Sequence, residues 1–147
     1  MILHMGVRTT EPTLVAHTAI REGEDEASAL ARLLSAINRK GAETAGPSMI
    51  VFHEPPSAPN PRREILVAVA SEVEDVPTMM LPPARVAFLV FTGTDSEMEA
   101  HYRRLRRYVE ERGLEPSPRV HRIEALYAPS DPDEDDWRTE IMIPLAG

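Results

Sequence analysis

Two pairs of segments, about 70 residues apart, carry nearly the same pattern, and this limits the folds open to the chain. RREILVAVAS (62–71) lies over WRTEIMIPLAG (137–147), which aligns Arg62 with Arg138 and Glu64 with Glu140. MIVFHEP (49–55) lies over IEALYAP (123–129), which aligns His53 with Tyr127 and Pro55 with Pro129. So long a period is wrong for a solenoid. It predicts duplication of one small α+β module, with copies at 13–71 and 83–147 inside a single domain spanning 1–147.

Each copy reads as strand, helix, strand, strand. In the first, 13–21 is rich in β-formers. Ala27, Leu30, Ala31, Leu34 and Ile37 then recur at helical spacing over 24–40, and Gly41 ends that helix. Strands follow at 49–53 and 64–71, around the proline-rich turn EPPSAPNPR. In the second copy a strand covers 83–92. A helix covers 95–112 with Met98, Tyr102, Leu105 and Val109 on one face, closed by Gly113. Strands follow at 123–127 and 139–146. Residues 1–12 show no firm period and read as a frayed lead. Residues 72–81 read as an extra strand or connector interrupted at Pro77. One helix covers only one face of its sheet, so each half needs a partner for the other face. The expected architecture is two antiparallel sheets, or halves, related by a pseudo-twofold, with a ligand cleft along the seam.

The last two strands each carry a glutamate where an apolar residue is expected. Side chains alternate faces along a strand. Ile123, Ala125 and Tyr127 therefore oppose Glu124 and Leu126, while Ile141, Ile143 and Leu145 oppose Glu140, Met142 and Pro144. If each apolar set packs on the core, Glu124 and Glu140 share the opposite face. A carboxylate on an apolar surface is costly to desolvate unless it is paired or kept for something that pairs with it. The plain alternatives are a solvent-facing Glu124, and a Glu140 bridged to Arg62, Arg119 or Arg138. Trp137, the only tryptophan, is either a pocket wall or a cap on the core. Most of Phe52, Phe88, Phe91, Tyr102 and Tyr127 read as core, with Tyr102 and Phe88 the best placed to reach a cleft.

Composition removes several function classes. A net charge of −8 repels phosphate backbones, so direct nucleic-acid binding is not expected. The chain has no cysteine, which excludes disulfides, thiolate metal sites and a cysteine nucleophile. No apolar run approaches the ~20 residues of a membrane span, and the start lacks a signal-peptide core, so a cytoplasmic protein is expected. His4, His17, His53, His101 and His121 fall in no metal-binding spacing. The acidic run 131–136 reads as a solvated turn, lacking an EF-hand glycine. Arg103, Arg106 and Arg107 sit four residues from Glu99, Glu110 and Glu111, which describes a charge-laced helix face. No GxSxG, GxGxxG or P-loop occurs, and no cofactor is implied.

PPARVAFLVFTG (82–93), the helix to Gly113, Glu124, Asp131-Pro132 and WRTEIMIPL (137–145) together resemble the GyrI-like small-molecule-binding domain, the effector-binding domain of bacterial multidrug-responsive transcription activators. The resemblance covers nearly all of the chain beyond residue 12. Two departures reduce aromatic wall. Gly93-Thr94-Asp95 stands where the family has a GPY-like turn, and Leu126 stands where it has tyrosine, with Tyr127 one place later. With no helix-turn-helix segment in front, the match is to the stand-alone form. The resemblance implies a pocket in which a glutamate meets a lipophilic, often cationic, ligand. It assigns that role first to Glu124 and second to Glu140, with Trp137, Leu126, Met142, Phe88, Tyr102 and Phe52 as further lining. It leaves open three activities: non-catalytic binding for sensing or sequestration, hydrolysis of strained-ring electrophiles by water directed from Glu124 and Glu140, and a protein-interaction role such as gyrase inhibition. Oligomeric state stays open.

Overall fold

A computed structural model of the chain describes residues 1–127 and 137–146. The DP turn and acidic run at 131–136 lie outside the described residues. Eight strands form one antiparallel sheet: β1 (Ile2–Thr9), β2 (Thr13–Ala19), β3 (Thr44–Phe52), β4 (Arg63–Val69), β5 (Thr78–Leu81), β6 (Arg85–Thr92), β7 (Arg122–Tyr127) and β8 (Arg138–Pro144). Their order across the sheet is β1-β6-β8-β7-β3-β4-β2-β5. Among the described residues two helices accompany the sheet, α1 (Glu26–Arg39) and α2 (Met98–Glu111). The class is α+β, as expected, but the two expected sheets are one. β3 and β7 pair directly, from Ser48 opposite Leu126 to Phe52 opposite Arg122, and this joins the halves edge to edge. Neither inner edge is left with unpaired backbone groups, which explains the merger.

The lead at 1–12 is not frayed. Ile2–Thr9 forms β1 along β6, because Met5 and Val7 alternate inward onto the second core. Likewise Thr78–Leu81 pairs with β2 as β5, beginning just after Pro77, where a missing N–H no longer interrupts the ladder.

The helices start and stop where the chain dictates. Asp25 caps α1, its carboxylate accepting the Ser28 N–H at 2.7 Å. Gly41 and Gly113 take positive φ, 68° and 64°, and end the two helices by the same wrap of the chain. A short 3-10 turn, Asp95–Glu97, precedes α2. Leu33 and Ile37 of α1 pack on Ala16 of β2 and Ile65 and Val67 of β4. Leu105 and Val109 of α2 pack on Leu89 of β6 and Ile141 and Ile143 of β8.

Direct cross-strand partners share a face, so the register shows which residues face the helices. One row runs Met5, Leu89, Ile141, Glu124, Ile50, Ile65, Thr18. It holds core residues from under both helices, so α1 and α2 lie on the same side. The next row runs His4, Val90, Glu140, Ala125, Met49, Leu66, His17 and faces the other way. Glu124 and Glu140 therefore do not share a face, contrary to the sequence expectation. The expectation assumed one apolar face per strand. The centre of this sheet is apolar on both: Val86, Phe88, Ala125 and Met142 form a separate cluster on the far side.

Candidate functional site

α1 covers β2 and β4, and α2 covers β6 and β8. Above β3 and β7, at the centre, a cleft of about 750 Å³ remains open. That is the size of a small-molecule site, roughly 300–1,000 Å³. Ile50 and Phe52 of β3 and Glu124 and Leu126 of β7 form its floor. Ala27 and Leu30 of α1 line one side, and Met98 of α2 the other. Pro56 and Pro61 close one end.

Glu124 is the one acid in its apolar row. Its side chain is 12% exposed. Burial pushes its carboxyl up to about 7, against the pull of the Arg122 guanidinium and with added repulsion from Glu26 and Glu99. Arg122 precedes it by two residues, on the same face of β7, and is 3% exposed. Its Nη2 donates to Glu99 Oε1 at 2.9 Å. Its Nε lies 2.9 Å from Glu124 Oε2, close enough for an ion pair but out of line for a hydrogen bond. Its guanidinium carbon sits 5.0 Å from the Phe52 ring centroid and 4.7 Å from that of Tyr102. Glu26 at the start of α1 accepts from Arg63 Nη1 at 3.3 Å. The cleft thus carries three carboxylates against two guanidiniums.

Behind Arg122 lies a second hollow of about 430 Å³, between α2 and Pro55–Ser57. It shares Glu99 and Arg122 with the cleft and adds Tyr102, Arg106 and His121. His121 Nε2 lies 3.1 Å from the Tyr102 hydroxyl. Burial, with Arg122 and Arg106 nearby, holds its imidazole below the usual histidine range.

Of the residues singled out from sequence, Glu124, Leu126 and Phe52 line the cleft, and Tyr102 lines the hollow behind it. Glu140, Met142 and Phe88 sit on the far side of the sheet. There Glu140 is 3% exposed and takes both Arg8 Nη2, at 2.8 and 2.9 Å, and the Tyr127 hydroxyl at 3.1 Å. Its partner is none of Arg62, Arg119 or Arg138, because pairing of β1 with β6 brings Arg8 over that face. Trp137 is 53% exposed and is not among the described residues that line the cleft. Sequence reasoning missed Arg122, Glu99, Glu26 and Arg63. For Arg122 the signal was present: RIE on a strand puts the arginine and Glu124 side by side on one face.

The profile of the GyrI-like small-molecule-binding domain matches residues 27–146. The chain belongs to the GyrI-like family. Among solved structures, this GyrI-like chain is similar to the EcmrR C-terminal domain, with a TM-score of 0.73, 16% identity and 97% of each chain covered. It is similar to a hydrolase encoded by lin2189 from Listeria innocua, with a TM-score of 0.64, 12% identity and coverage of 97% of this chain and 91% of that one. It is also similar to SAV2435 bound to tetraphenylphosphonium, with a TM-score of 0.59, 10% identity and coverage of 99% and 95%. At these identities the likeness is one of fold. No curated protein sequence matches the chain. Among the described residues, no helix is long and apolar enough to cross a membrane, and no three acids or histidines converge as metal ligands would.

Proposed function

We propose that the chain binds lipophilic, cationic small molecules in the central cleft, without changing them, as a sensor or a sequestering protein. Glu124 is the group that meets the ligand's charge. The carrying observation is one largely buried carboxylate on the cleft floor, flanked across the strands by Ile50 and Ile141. Desolvation makes that carboxylate expensive to ionise alone, so a cation that ionises it is bound more strongly than in water. Leu126 and Phe52 supply apolar and aromatic wall beside it. A neighbour in fold, SAV2435, has been solved bound to tetraphenylphosphonium, a lipophilic cation. Glu140 has no part in this reading, since its oxygens are taken on the far side of the sheet.

We also read residues 1–147 as one domain made by duplication. The strand order supports this, since β5-β2-β4-β3 from one edge matches β1-β6-β8-β7 from the other. So do the aligned pairs: His53 lies 3.0 Å from Glu64, and Tyr127 lies 3.1 Å from Glu140.

The test is a fluorescence titration with a lipophilic cationic dye such as rhodamine 6G. Glu124→Gln should weaken binding by the ~1.5–3 kcal/mol of a charged contact, or about 10- to 150-fold. Equal affinity for both proteins would remove Glu124 from the site. A second reading rests on the same carboxyl. A group that titrates near pH 7 suits a general base, and Glu124 could direct water onto a strained-ring electrophile held in the cleft. More than one equivalent of product, abolished in Glu124→Gln, would establish that reading instead.

A further inference from the structure

One cation already stands at the edge of the cleft, and the chain itself supplies it. Two aromatic rings and two carboxylates converge on one point, the arrangement that holds organic cations. Phe52 and Tyr102 supply the rings, and Glu99 and Glu124 the acids. The cation at that point is Arg122. We infer that Arg122 is a built-in competitor for the ligand's charge, which a cationic ligand must displace towards the hollow behind it, and that Arg122 thereby sets how strongly the cleft prefers cations over neutral molecules. This rests on the cleft being the binding site.

Three observations make Arg122 a displaceable occupant. First, its hold is incomplete on the cleft side. Nε and Nη1 are buried without hydrogen-bond partners, and so is Glu124 Oε2. Leaving Glu124 therefore breaks a close ion pair that lacks an aligned hydrogen bond. Second, its one side-chain hydrogen bond goes to Glu99, whose side chain is 60% exposed and stands at the start of α2. That partner borders both spaces, so Arg122 can turn without losing it. Third, there is room: Arg122 lines the hollow as well as the cleft. Displacement hands Glu124 and the Phe52 face to the incoming cation, while Arg122 keeps the Tyr102 ring on the hollow side.

The consequence is a selectivity that can be read with two probes of equal shape. N-methyl-4-phenylpyridinium is a delocalised cation, and 4-methylbiphenyl is its neutral counterpart. In the native protein the cation must work against Arg122, so its advantage over the neutral probe is reduced. Replacing Arg122 with methionine keeps an apolar stem of similar reach and leaves three carboxylates facing one guanidinium. Arg122→Met should tighten the cation's Kd by at least about tenfold and leave that of 4-methylbiphenyl within about threefold. Unchanged affinity for the cation, weaker affinity, or equal gains for both probes would overturn the inference.

The native protein supplies a second measurement, should Arg122→Met fail to fold. The Arg122 Nε–Hε resonance lies under the influence of two rings. Saturation with the cationic probe, which takes Arg122 off the Phe52 face, should shift it clearly more than saturation with the neutral probe. An unmoved resonance at saturation would equally overturn the inference. Leu30→Trp, which fills the cleft from α1, separates the two levels of reading. If it abolishes binding of both probes while Arg122→Met changes no preference, only the role of Arg122 fails. If it leaves both affinities intact, the cleft is not the site and both readings fail.

Discussion

Replacing Glu124 with glutamine tests whether the carboxylate is strained by burial or satisfied by Arg122. Its carboxyl is raised from 4.5 to about 7, with desolvation the largest cause. A raised acid holds its proton more tightly in the folded chain than in the unfolded one. Its contribution to stability is therefore complete below the unfolded value of 4.5 and is lost as pH rises through 7. The gap corresponds to about 3 kcal/mol at ~1.36 kcal/mol per pH unit, of which about 2 kcal/mol falls between pH 5.5 and 8.5. That window also avoids the sequence pI of 5.1, where solubility is lowest. The assay is urea unfolding of native protein and Glu124→Gln at four pH values across the window. Other titrating groups are common to both and largely cancel. The native protein should lose about 2 kcal/mol relative to Glu124→Gln on going from pH 5.5 to 8.5. Two parallel stability profiles would refute the reasoning. So would a native protein that gains on the variant as pH rises, which would mean that Arg122 holds the carboxylate ionised and contented.

The same carboxyl governs ligand binding in the opposite sense. Calorimetric titration with a permanent lipophilic cation should show affinity rising about tenfold from pH 6 to 8, as the ionised fraction of Glu124 grows, and a flat profile in Glu124→Gln. On the far face, Glu140→Ala should destabilise the fold by about 2–3 kcal/mol, because Tyr127 and Arg8 lose a buried partner while the half-exposed Arg8 recovers some hydration. Denaturant melts measure that loss, and an unchanged cation affinity in the same variant would place Glu140 outside the binding site.

The strand and helix pattern was legible because it follows from local chemistry. Apolar residues at helical spacing marked α1 and α2, and glycines marked their ends. The alignment of His53 with Tyr127 and of Glu64 with Glu140 was visible in the sequence; that the histidine and the tyrosine each touch the glutamate of their own copy was not. Glu124 stood out as an acid among apolar neighbours, and RIE already put Arg122 beside it. What the chain alone left open was which way each strand faces. Ile123, Ala125 and Tyr127 are apolar, and so are Ile141, Ile143 and Leu145, yet they pack on opposite sides of one sheet. Alternation gives the two faces of a strand but not which of them a neighbouring strand shares; that depends on register, which is settled by long-range pairing. The register of β7 against β8 sent Glu124 into the cleft and Glu140 to the far face. Pairing of β1 with β6, again long-range, supplied Arg8 to neutralise Glu140. Only the docking of α2 on its half of the sheet brought Tyr102 and Glu99 around Arg122, and so put a cation of the chain's own beside Glu124.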